Sequence, residues 1–160
     1  MKSILIGLSI LIAAPVLAAE PAGTKAERAS LQPARHVVVH LSRFDEDRHA
    51  VMMAISLGRT LLKQNAKATL FLDVEGVKLA DSRIDPRTAK ALSEREPVAG
   101  KASDAEELAA FIKEGGNVVV CAHCAMTAGI PETALRKGAT LATPEQAAKL
   151  LLESSAVIDY

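Results

Sequence analysis

The chain holds two cysteines, spaced as Cys121-Ala122-His123-Cys124 directly after the aliphatic run Asn117 to Val120. A cysteine where a strand gives way to a helix sits among unpaired amides at the positive end of the helix, which favours thiolate over thiol. A second thiol three residues on can donate a hydrogen bond to that thiolate, or resolve a mixed disulfide or persulfide formed on it. Cys121 precedes the helix and is expected to be the more exposed nucleophile, with Cys124 one turn inside. His123 between them adds local positive potential or shuttles a proton near neutral pH.

Two other chemistries compete for the same residues. A plain disulfide is the default for two cysteines in a secreted protein. A bridge closing two intervening residues removes little chain entropy, so stabilisation is a poor reason to keep one here. Cys121 and Cys124 could instead hold Zn or Cu(I), with His40 or His123 completing the shell and Met126 as a soft thioether. No second C-x-x-C or spaced His pair supports a closed zinc site. Ala125 follows Cys124 where a c-type haem attachment requires His. The reading carried forward is sulfur or redox chemistry, with no metal and no cofactor.

Two further groups lie just past strand-like segments: His40 with Ser42, Arg43 and Asp45, and Asp73 with Glu75 and Gly76. Ligands on a parallel sheet gather outside the C-terminal strand ends, so His40 and Arg43 are candidate substrate-binding residues. His36 and His49 have no partner at informative spacing, and Met52-Met53 reads as core packing. No G-x-G-x-x-G, Walker loop or G-x-S-x-G elbow is present, so nucleotide binding and serine hydrolysis have no support.

The elements that must position these groups alternate. His36 to Leu41 is a β-branched run suited to a strand buried on both faces. A helix follows the acids Asp45 to Asp47 and ends at Asn65, its face made by Ala50, Ala54, Leu57 and Leu61 with Val51, Ile55 and Leu62. Ala68 to Val74 predicts a second strand, closed by a Glu75-Gly76 turn, with short helices near Val77 and over Pro86 to Leu92. Ser103 and Glu106 form a capping box for a helix striped by Leu108, Phe111 and Ile112 and stopped at Gly115-Gly116. Asn117 to Val120 is a third strand, and the helix after the cysteines is expected to end at Gly129. Ala139 to Leu141 is a candidate edge strand. Thr143-Pro144-Glu145-Gln146 opens a last helix faced by Ala147, Leu150 and Leu151, and Ala156 to Ile158 closes the series. Strands alternating with helices imply right-handed crossovers. The expected fold is α/β: a three-layer α/β/α sandwich around a mostly parallel sheet of about five strands.

The chain has 160 residues, with 19 Lys and Arg against 19 Asp and Glu. That balance argues against a nucleic-acid partner, and 2% aromatic residues leave no stacking platform. Lys2, the apolar run Ile4 to Ile12, Pro15 and the small residues to Ala18 read as a secretory signal, residues 1–18. Cleavage there leaves 18 basic against 19 acidic side chains, no membrane segment and a periplasmic protein. Residues 19–35, with Pro21, Gly23, Ser30 and Pro33, read as a flexible leader, and 36–160 as the domain.

The segments HVVVHL, AVMMAISLGRTLLKQNAKATLFLDVEGVKLA and GGNVVVCAHCAMTAGI together resemble the DsrE/DsrF-like family of small α/β sulfur-handling proteins. That family has a strand leading into a cysteine and a short helix ending in Gly plus an aliphatic residue, matched by Cys121 through Gly129-Ile130. It also has a strand followed by acidic-Gly-aliphatic, matched by Glu75-Gly76-Val77. The resemblance covers roughly residues 36–160. It implies a homo-oligomer, trimeric or hexameric, in which Cys121 matches a persulfide-carrying cysteine and Cys124 a second cysteine of some members. A sulfur-donor or thiol-redox protein is the implied partner. The relay members are cytoplasmic, whereas this chain carries an export signal. The expected function is therefore an exported sulfane-sulfur carrier or thiol-disulfide exchanger. The alternative is a metal-binding or non-catalytic oligomeric interaction module.

Overall fold

The computed structural model describes residues 35–45, 47–84 and 102–160. Five strands form one sheet: β1 (His36–Leu41), β2 (Lys67–Leu72), β3 (Asn117–Cys121), β4 (Ala139–Ala142) and β5 (Ala156–Asp159). Their order is β4-β3-β2-β1-β5 and every neighbouring pair is parallel. The α/β expectation holds, and the sheet is parallel throughout. Three successive crossovers step outward from β1 to β4, and the last returns past them to the far side of β1. The direction of travel therefore reverses at the β1–β5 boundary, where an open α/β sheet leaves a crevice.

Helix α1 (Arg48–Lys63) joins β1 to β2, and α2 (Asp104–Lys113) leads into β3. Asp47 caps α1 by accepting the Ala50 N–H, and Ser103 with Glu106 forms the capping box expected for α2. Ala50, Val51, Ala54, Ile55 and Gly58 make the buried stripe of α1. Met52 and Met53 fall on its outer side at 47% and 37% exposure. This corrects the expectation of core packing: each lies about 130° around the helix from the centre of the buried set. Helices α3 (Ala122–Thr127) and α4 (Pro144–Leu152) follow β3 and β4. Helix α3 ends at Thr127 with Ala128 as its cap, ahead of Gly129, which takes φ +67°.

Side-chain parity divides the sheet into unlike faces. Val37, Val39, Leu41, Leu70, Leu72, Val118 and Val120 share one face and are buried. In-register neighbours put His36, Val38 and His40 beside Thr69 and Phe71 on the other, followed outward by Val119 and Cys121 and, across β1, by Val157 and Asp159. Val119, Cys121 and His40 are only half-buried there, and Val157 and Asp159 are exposed. Helix α4 has the capped start expected at Thr143, with Gln146 reaching back, yet none of its residues is buried.

The second strand departs from expectation. It stops at Leu72, and Val74–Ala80 winds as a 3-10 helix in place of a strand end and turn. The helix expected over Pro86 to Leu92, the signal segment 1–18 and residues 19–34 lie outside the described residues. Among the described residues no helix is long and apolar enough to cross a membrane.

Candidate functional site

Strand β3 delivers Cys121 to the C-terminal edge of the sheet, where it becomes the residue capping α3. Its Sγ accepts the Cys124 N–H at 3.3 Å. Both cysteines are half-buried free thiols, and Cys124 packs against the aliphatic core. Helix α3 is only six residues long, so its effect on Cys121 comes through this one amide more than through a long dipole. Burial pushes the Cys124 thiol above its ordinary value, and a hydrogen bond with Cys121 adds to that. The Val74 N–H, directed at the Cys124 sulfur, opposes the rise; the charge of Asp73 reinforces it. Cys124 thus holds its proton more firmly than an ordinary thiol.

The approach of Val74 has a backbone cause. The amides of Asp73, Glu75 and Gly76 donate to the Leu41 and Ser42 carbonyls at 3.1 to 3.3 Å, tying the end of β2 over the end of β1. Val74 breaks this run with φ +45°, an unfavourable conformation for a β-branched residue, and its side chain is 60% exposed. Gly76 permits the fit. A Cβ there would stand 2.0 Å from the Leu41 carbonyl oxygen.

One strand over, His40 bridges two carboxylates. Its Nδ1 is 2.5 Å from Asp159 Oδ1 on β5, and its Nε2 is 2.9 Å from Asp73 Oδ1 beyond β2. The Asp73 contact is an ion pair whose two facing atoms have no exposed surface. The ring stacks on Phe71, centroids 5.6 Å apart. Burial would lower the His40 pKa from 6.5, but the hydrogen bonds to Asp159 and Asp73, with their charges, outweigh it and the net shift is upward.

On its other side His40 lines a cavity of about 670 Å³ at the β1–β5 crevice, with Ser42, Arg43, His49, Asp159 and Tyr160. Arg43 is 65% exposed and loosely paired with Asp47 at 3.8 Å. Asp45 is drawn away to Lys78. His123 is exposed on α3. His36 bonds Thr69 at 2.9 Å along the sheet.

The residues singled out by sequence thus fall into two neighbouring sets on one sheet edge: Cys121, Cys124 and His123 on α3, and His40 and Arg43 at the crevice. Asp73 links them. Asp159 was missed, since an Asp near the end of a short strand carries no local signal; only β5 pairing with β1 brings it to His40. Among the described residues no group of three or more His, Cys, Asp or Glu could hold a metal ion.

A family model described as DsrE/DsrF-like family matches residues 37–160. The ychN protein of E. coli superposes with a TM-score of 0.57 at 18% identity, covering 80% of this chain and 100% of its own. MTH1491 of Methanobacterium thermoautotrophicum, described as a protein of unknown function, gives a TM-score of 0.59 at 16% identity, covering 79% and 99%. These likenesses concern the fold. Among curated proteins none matches the chain.

Proposed function

Since the chain belongs to the DsrE/DsrF-like family, a group related to sulfur relay, we propose that it carries sulfane sulfur on Cys121 and discharges it with Cys124. The single observation that carries this is two free, half-buried sulfurs at a parallel-sheet edge, with the Cys124 amide directed at Cys121 Sγ.

In the loading step the Cys121 thiolate attacks the outer sulfur of a donor persulfide, R–S–SH. The donor S–S bond breaks, R–S⁻ leaves and takes a proton, and Cys121 becomes a persulfide with no net redox change. Exposed His123 is placed near enough in sequence to supply that proton. Arg43 at the crevice holds an anionic part of the donor, and His40 lines the same wall with both ring nitrogens already held by Asp159 and Asp73. Discharge to an acceptor thiolate reverses the exchange. Without an acceptor, the Cys124 sulfur attacks Cys121 Sγ and its proton goes to the departing sulfide. The persulfide bond breaks, hydrogen sulfide leaves, and a Cys121–Cys124 disulfide remains. A substrate disulfide R–S–S–R would be reduced to two thiols by the same sequence.

The proposal places this chemistry in the periplasm, on the strength of the signal-like residues 1–18. It also makes the protein a homo-oligomer, supported by α4, which buries no residue in the chain's own fold, and by the exposed Leu152 and Val157. A sulfur-donor or thiol-redox protein is its working partner.

Treatment of the reduced protein with inorganic polysulfide, followed by acid quench and intact-mass analysis, tests the reading. One added sulfur is expected, absent in Cys121→Ser and longer-lived in Cys124→Ser. Uptake by Cys121→Ser equal to the unaltered protein, or none by the unaltered protein, would overturn it.

A further inference from the structure

The two carboxylates that hold His40 are unlike. Asp159 is an open surface group, whereas the Asp73 oxygen facing the ring has no exposed surface. The Asp73 side chain is half-buried, with that oxygen cut off from water, and the His40 ring is the cationic group in contact with it. Asp73 follows Leu72, which lies in register with Val120 just before Cys121, and the 3-10 helix that Asp73 caps packs against α3, which carries Cys124. The Asp159–His40–Asp73 row therefore leads from the β1–β5 crevice to the resolving thiol.

We propose that His40 is a positioning residue for the sulfur chemistry: its positive charge, clamped by Asp159, cancels that of Asp73 and so lets Cys124 give up its proton when it attacks sulfur bound on Cys121. The role rests on the function proposed above, but the quantity it governs, ionisation of Cys124, does not.

The direction follows from charge alone. With the imidazolium present, the His40–Asp73 pair is neutral and Cys124 feels little repulsion. With the ring neutral, Asp73 stands as a bare anion beside a sulfur that must become one. The two carboxylates keep the ring charged to a higher pH than a free histidine. Other groups facing it are Arg43, Asp47, His49 and Tyr160 across the crevice, the first two paired with each other; from α3 come the two thiols. None of these places a second cation against Asp73 among the described residues.

The test reads iodoacetamide alkylation of Cys124 against pH in the full chain carrying Cys121→Ser, with circular dichroism to confirm folding. Adding His40→Gln should slow alkylation at neutral pH about threefold to tenfold and turn a broad profile into a single step. Adding Asp73→Asn alone should change the neutral-pH rate little, because the charge it removes is already cancelled by His40, and should narrow the profile. The decisive variant combines both. It should match Asp73→Asn alone, because His40 acts only through that carboxylate. A double variant as slow as His40→Gln, or a His40→Gln profile superimposed on its parent, would overturn the inference. If His40→Gln does not fold, Asp73→Asn still decides, since a profile there as broad as the parent's is equally fatal. Intact coupling in a protein that takes up no polysulfide sulfur would sink the proposed function and leave this inference standing.

Discussion

Cys124 and Cys121 share a sequence motif but not an environment. Burial holds the proton on Cys124, so limiting iodoacetamide at neutral pH should label Cys121 first, and peptide mapping will read the order. Two other residues tie stability to pH in opposite senses. Asp81 is 3% exposed and chelated by Arg83, which holds its carboxyl below the usual range against the cost of burial. Its stabilisation is present above the unfolded value near 4 and is lost as pH falls through the lower folded value. His40 is raised, so its contribution is full below 6.5 and fades as pH rises through the higher folded value. Urea midpoints should thus decline on the alkaline side in the parent and stay flatter in His40→Gln. At this scale the sequence announced the C-x-x-C and the strand-end His40. It did not announce their link, because Asp159 lies 119 positions from His40 and Asp73 looks from its neighbours like part of a strand.

Among the elements, those with local signals formed where the residues said they would. Both capping boxes are present, and Ser103→Ala should cost about 1 kcal/mol, measured by denaturant unfolding. The end of β2 was illegible for a physical reason. Leu72-Asp73-Val74 has strand-like composition, but the carbonyls of Leu41 and Ser42 capture the next amides and wind them into the 3-10 helix. Gly76→Ala should destabilise by more than about 2 kcal/mol, since its Cβ would strike backbone. Val74→Asn should be neutral or stabilising by up to about 1 kcal/mol, because Asn tolerates the left-handed conformation and little packing is lost. Alteration of Cys124 reactivity in that variant would report that the turn aims the amide.

For the molecule as a whole, periodicity marked α1 and α4 as amphipathic but could not say what would meet each face. Helix α1 finds the sheet; α4 keeps Leu152 at 86% exposure. Paired changes Leu152→Asp and Val157→Asp should shift the mass seen by light scattering toward one copy, with sulfur uptake on Cys121 preserved. The parallel pairing of β5 with β1 has a different consequence, one of timing. Both thiols and the imidazole lie on earlier elements, while the carboxylate that steadies the ring arrives on the fifth strand, after every other crossover has closed. Long-range pairings of this kind form late. A chain emerging from synthesis would therefore carry its sulfur atoms before it could control them, and controlled reactivity would begin only when the fifth strand docked.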